Sequence, residues 1–130
     1  MNVLLAEDEP DIQLITKLAL EDVGYTVVAV SDGQAAIEQA QREVFDLILL
    51  DVMMPRVDGF SACAQLKANP ATAPIPVIFL TARSQEPEVQ RGLAIGAEGY
   101  IVKPFDVFTL ADHIQAIIQR NTTQNATNDE

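Results

Sequence analysis

Five short apolar runs alternate with segments of helical periodicity along this chain, and that alternation restricts the fold more than any other feature. Residues 2–6, 25–30, 45–50, 75–80 and 99–102 predict strands. Residues 11–23, 33–43, 59–68, 86–95 and 107–120 predict helices. Runs as apolar as Val3-Leu4-Leu5-Ala6 and Leu47-Ile48-Leu49-Leu50 belong in the middle of a sheet covered on both faces. Strand–helix alternation with short links predicts an α/β domain, a five-stranded parallel sheet with helices on both sides. Local signals agree. Pro10 suits a first helical turn, where its missing N–H is no loss, and Gly24 supplies a left-handed exit. Ser31 and Gln34 have capping-box spacing, and Ile114, Ile117 and Ile118 give the last helix an apolar face. The two prolines between Asn69 and Pro74 predict a loop. Residues 1–120 are expected to form the domain and 121–130 a polar, disordered tail.

Composition narrows the function. The 130 residues suit one domain. A net charge of −11 argues against direct nucleic-acid binding, which demands Lys and Arg for phosphates, and suits protein partners. The lone Cys63 lies in an apolar helical stretch and reads as a small core residue; no internal disulfide can form. No apolar run reaches the roughly 18–20 residues that span a bilayer, and no basic segment precedes the first run. The sequons at Asn121 and Asn125 are discounted accordingly, and a cytoplasmic location is expected.

Ligands of parallel α/β sheets bind outside the carboxyl ends of the strands, at the switch point in strand order. Glu7 and Asp8 follow the first run and Asp51 the third, so parallel neighbours would gather three carboxylates at one edge. Like charges about 4 Å apart repel by roughly 4 kcal/mol at an effective dielectric near 20. Such a cluster requires a cation, a proton or a reaction. Thr81 ends the fourth run and Lys103 the fifth, adding a hydroxyl and an amine. Hard oxygen donors with room for water are what Mg2+ prefers. Mg2+, Lys103 and Thr81 together could neutralise a phosphoryl group carried on an Asp, and a carboxylate is a competent nucleophile towards phosphorus. Taken singly, Glu7, Asp8 or Asp51 could be a helix or turn cap, Thr81 a strand-end hydroxyl and Lys103 a solvated charge. Their joint placement is what points to a site.

Glu7-Asp8-Glu9, Asp51-Val52-Met53-Met54-Pro55 with Asp58-Gly59, Leu80-Thr81-Ala82 and Lys103-Pro104-Phe105 make the chain resemble a receiver domain of two-component response regulators, of the single-domain, chemotaxis-like type, over about residues 2–120. The resemblance implies a flavodoxin-like, doubly wound (βα)5 fold with strand order 2-1-3-4-5. It implies Asp51 as phosphoacceptor and Mg2+ as cofactor, held by Asp8, Asp51 and the Met53 main-chain carbonyl, with Glu7 acting through water. Lys103 and Ala82 would bind the phosphate. Thr81 would be the switch hydroxyl, with Tyr100 swinging in behind it. Pro104 is expected to follow a cis bond and Gly59 to supply tight backbone. Met53 and Arg83 occupy positions that tune phosphate lifetime. Position 7 departs from the pattern, being Glu where Asp is commoner.

The implied function is acceptance of a phosphoryl group from a histidine kinase or phosphotransfer protein, switching the face of the fourth helix, fifth strand and fifth helix towards an unknown protein target. Phosphorylation adds roughly −1.5 to −2 charge and three acceptor oxygens, enough to draw Thr81 and Lys103 inward. No enzyme activity beyond self-catalysed transfer and slow self-dephosphorylation is expected. The starting Met1, acidic balance and weak tail favour a stand-alone protein over the receiver half of a larger regulator. A hydrolase of the haloacid dehalogenase type wants a second Asp at position 53, where this chain has Met53, and a flavodoxin wants a hydroxyl- and Gly-rich loop after the first strand. For a homodimer through the switching face, Arg91 resembles a pairing residue, but Gly99 stands where the partner acid would be.

Overall fold

The computed structural model describes residues 1–82 and 87–128. Arg83 and the start expected for the fourth helix at residue 86 lie outside them. Five strands, β1 (Asn2–Ala6), β2 (Thr26–Val30), β3 (Leu47–Asp51), β4 (Val77–Thr81) and β5 (Gly99–Val102), form one sheet in the order β2-β1-β3-β4-β5. All neighbours are parallel, with Ala6 opposite Leu50, Asp51 opposite Leu80 and Thr81 opposite Val102. The helices α1 (Pro10–Asp22), α2 (Gly33–Arg42), α3 (Gly59–Ala68), α4 (Pro87–Ile95) and α5 (Leu110–Asn128) complete the alternation.

Strand alternation divides the core into two layers. Leu4, Ala6, Ile48, Leu50 and Phe79 face one way and pack with Ala36, Ile37, Phe60 and Leu66 from α2 and α3. Val3, Leu5, Leu47, Leu49 and Leu80 face the other and meet Leu20 of α1 with Leu110, Ile114 and Ile117 of α5. Both faces of β3 and β4 are therefore apolar, which is why their runs show no polar alternation. Cys63 is buried in the first of these layers, as its apolar neighbours imply.

Element boundaries depart from expectation at several points. Pro10 opens α1 and Gly24, at φ 98°, follows its end, both as expected. The cap of α2, however, is Asp32, whose carboxylate accepts from Ala35 N–H at 2.7 Å, so the Ser31–Gln34 capping box does not form. The Asp32 carboxylate reaches the first turn, whereas the Ser31 hydroxyl accepts from the Gln13 amide at 3.3 Å. The last helix, expected to end at residue 120, continues as α5 to Asn128. Nothing from Leu110 to Asn128 is Gly or Pro, and a polar sequence without a breaker can extend a helix already anchored by its apolar face. Finally, β3 and β4 each run one residue further than expected, so that Asp51 and Thr81 are the last residues of strands.

Phe79 is 1% exposed and meets Phe60 edge-on, with ring centroids 5.1 Å apart at 62°. Phe79→Ala is expected to lower unfolding free energy by about 3–5 kcal/mol in urea titrations with the denaturant slope unchanged. A loss below about 1 kcal/mol would show that this layer repacks freely.

Candidate phosphoacceptor site

The order β2-β1-β3 reverses chain direction of growth between β1 and β3, and the site lies at that switch point. Glu7 and Asp8 follow β1 directly, and Asp51 is the last residue of β3. Glu7 is fully buried and Asp51 is 4% exposed, whereas Asp8 is exposed at the rim. Each can offer a carboxylate oxygen, with all three oxygens within 4.8 Å of one another. The capping alternative for these acids is not what α1 uses: Glu9 occupies its cap position without a side-chain cap bond.

Among the described residues, one cation enters the cluster. The Lys103 ammonium donates to Glu7 Oε1 at 2.5 Å and lies 3.2 Å from Asp51 Oδ2. It is aimed there from the end of β5, where its own N–H donates to the Thr81 carbonyl at 2.7 Å and a cis bond leads to Pro104. Asp51 Oδ1 accepts from Met53 N–H at 3.2 Å, which bends the β3–α3 loop over the site. The Met53 side chain is 78% exposed at the rim. Gly59 is required by close approach: a Cβ there would stand 2.4 Å from the Asp51 carbonyl oxygen.

Burial is the largest influence on Asp51 and disfavours its charged form. Its hydrogen bond with Glu7 and that residue's charge push the same way, Lys103 opposes, and the carboxyl is pushed up to about 7 from an ordinary 3.8. Burial works against Glu7 as well, but hydrogen bonds from Asp51 and Lys103 and the ammonium charge outweigh it and hold Glu7 below the usual range. Lys103 is disfavoured as a cation by burial, yet its bond to Glu7 and the Asp51 charge raise it above an ordinary lysine. The two buried carboxyls thus share one lysine, and of the two Asp51 holds its proton to the higher pH.

Thr81 is buried beside Phe79's face of the sheet, since residues two apart along a strand point the same way. Tyr100, opposite Phe79 in register, packs against that same layer and is half-buried. Ala82 is exposed immediately after Thr81. The structure therefore brings Glu7, Asp8, Asp51 and Lys103 together and sets Thr81, Ala82 and Tyr100 along the adjoining strand ends. Two further side chains support the site. The Gln13 amide donates to the carbonyls of Glu7 and Val30, at 2.9 Å each, tying the ends of β1 and β2 together. Asp58, part of the Asp58-Gly59 motif, caps α3 by accepting from Ser61 N–H at 2.8 Å.

A family model described as the response regulator receiver domain matches residues 3–115, and the chain belongs to that family. It is 37% identical over 127 residues to the transcriptional activator protein IrlR of Burkholderia pseudomallei, covering 98% of this chain and 54% of that one. With the response regulator ArlR of Staphylococcus saprophyticus it shares 38% identity over 123 residues, 95% of this chain and 54% of the relative. The chain thus spans about half the length of these curated relatives. Among solved structures it is similar to the chemotaxis response regulator CheY4 of Vibrio cholerae, with a TM-score of 0.85, 34% identity, and coverage of 89% of this chain and 97% of that chain. It is also similar to the receiver domain of the sensor histidine kinase PA1611 of Pseudomonas aeruginosa, with a TM-score of 0.80, 34% identity, and coverage of 92% and 94%. That structure has a magnesium ion coordinated in its active site cleft. Among the described residues no helix is long and apolar enough to cross a membrane.

Three oxygen-donating acids with one neutralising lysine fit a hard divalent ion. Without metal, the raised Asp51 pKa makes stability depend on pH with a definite sign. As pH rises from 3.8 towards 7, unfolded chains release the Asp51 proton while folded ones retain it, so this group's favourable contribution is progressively lost. Asp51→Asn removes that loss. In chelator at pH 8 the variant should be more stable than the parent by on the order of 2 kcal/mol, about half of what two unit charges 4 Å apart exchange at a dielectric near 20. The gain should shrink towards zero at pH 4, and an equal gain at both values would contradict the assignment.

Proposed function

We propose that Asp51 accepts a phosphoryl group from the phosphohistidine of a kinase or phosphotransfer protein. The observation that carries this reading is the Lys103 ammonium seated between Glu7 and Asp51 while Asp8 completes the carboxylate cluster. A carboxylate oxygen of Asp51 attacks phosphorus, the bond from phosphorus to the imidazole nitrogen breaks, and the departing imidazole takes a proton from solvent. Asp8, Asp51 and the Met53 main-chain carbonyl, with Glu7 through water, would hold Mg2+, which when bound would neutralise charge on the phosphoryl oxygens. Lys103 exchanges its Asp51 contact for a phosphoryl oxygen, and the Ala82 N–H and Thr81 hydroxyl take the others.

Signal output follows from Thr81. Drawing its hydroxyl onto the phosphate opens space on the face it shares with Tyr100, and Tyr100 fills it. The result is a population shift in the α4-β5-α5 surface towards a protein target, driven by contacts that only the phosphorylated form makes. That surface is also where a homodimer would form, with Arg91 exposed on α4 and Gly99 lacking the acid to pair with it. The acidic chain signals through proteins in the cytoplasm, without contacting DNA itself. It carries out no turnover chemistry beyond forming and losing its own phosphate.

Incubation with acetyl phosphate and Mg2+ should label the parent with a hydroxylamine-sensitive acyl phosphate. Asp51→Asn should give no label, and chelation of the metal should reduce labelling to background; robust labelling of the variant would overturn the reading. The exposed Met53, with Arg83, hinders the attacking water, so the isolated phosphoprotein should persist for minutes. A lifetime of a few seconds without a phosphatase would contradict that role for the two side chains.

A further inference from the structure

The segment from Val52 to Asp58 carries Met53 yet belongs to neither strand nor helix. Its ends are held by the sheet and by α3: Val52 N–H donates to the Leu80 carbonyl at 3.0 Å, and Gly59 N–H to the Val52 carbonyl at 3.0 Å. Within it, Val57 N–H closes a tight turn onto the Pro55 carbonyl at 2.8 Å. Further restraint comes from another element, the amino terminus of α2. A Cβ at Gly33 would stand 2.1 Å from the Val57 carbonyl oxygen and 2.9 Å from its carbon. Those atoms are backbone and cannot swing aside as a flexible side chain would. Beside Gly33, Asp32 caps α2 with Oδ1 while its Oδ2 lies 3.6 Å from the Arg56 guanidinium. Arg56 itself is at φ 67°, a conformation that a residue with a Cβ adopts at a cost of about 1–2 kcal/mol. Such a conformation persists where the surroundings over-determine it.

We infer that Asp32 and Gly33 form an abutment that fixes the position of the β3–α3 loop and thereby sets the affinity of the site for its divalent cation. The inference rests on the reading of the Met53 carbonyl as a metal ligand. Asp8 and Asp51 are delivered by strand ends, whereas Met53 is delivered by a loop, and Mg2+ demands near-ideal geometry at short distances. Loop position is therefore the variable on which affinity turns. Gly33 and Asp32 touch neither metal nor phosphate; they are positioning residues. A methyl group at Gly33 would force the Val57 carbonyl, and the loop with it, to retreat by on the order of 1 Å to reach ordinary contact.

Calorimetric titration of the full chain with MgCl2 tests this. Gly33→Ala should weaken Mg2+ binding about tenfold, as changes to groups that orient metal ligands do. Arg56→Ala, at an exposed side chain, should weaken it about threefold, and Arg56→Lys should restore most of the loss. Gly99→Ala is the control: its Cβ would meet Ile117 at 2.9 Å in the opposite layer, so it should lower the metal-free unfolding midpoint and leave Mg2+ affinity at the parent value. Parent-like affinity in Gly33→Ala and Arg56→Ala would overturn the inference alone, as would an equal loss in Gly99→Ala. A parent that binds no Mg2+ would overturn the ligand assignment and the inference together. Should Gly33→Ala fail to fold, the Arg56 pair decides.

Discussion

Glu7 and Asp51 are both buried, and a single lysine lies within reach of both. Two carboxylates out of water with one counter-ion cannot both ionise comfortably, so the folded protein stores an electrostatic imbalance at the edge of its sheet. The topology creates that imbalance. Placing β3 beside β1, and not beside β2, brings Asp51 next to Glu7 across a parallel ladder whose apolar residues leave no alternative position for either. An added cation relieves it, and so does a covalent change that gives Lys103 a better partner. The receiver fold of this chain is in this sense a support for one unstable charge arrangement.

Much of this was legible in the sequence because the strands are buried on both faces. Unbroken apolar runs such as Val77-Ile78-Phe79-Leu80 have one natural home, and carboxylates at the ends of two of them had to meet once the strands were parallel. Lys103 was legible for the same reason, since its place at the end of β5 follows from the strand preceding it. Local rules were less dependable where two residues could do one job. Ser31 and Asp32 both offer a cap to α2, and spacing alone does not say that the carboxylate wins. The polar stretch after Arg120 has no periodicity to mark it as helix, and only continuation from the packed part of α5 makes it one.

What composition and periodicity could not reveal was the long-range geometry of loops. The left-handed Arg56, the crowding of Gly33 against Val57 and the Gln13 bridge between strand ends depend on which elements meet in space. No spacing of residues announces them. They are nevertheless what holds loop-borne groups against strand-borne ones. Glu7 in place of Asp belongs to the same category: its extra methylene allows the carboxylate to reach the Lys103 ammonium while remaining fully buried.

The central claim is that the imbalance at β1 and β3 exists to gather one divalent ion and one phosphoryl group on Asp51. A crystal structure grown with Mg2+ and beryllofluoride tests it most directly. The account predicts one ion bridging Asp8 and Asp51, a fluoroberyllate on Asp51, and the Lys103 ammonium turned from Asp51 to a fluoride. Acids pointing away from one another, or an ion and fluoroberyllate bound elsewhere with Lys103 unmoved, would contradict it.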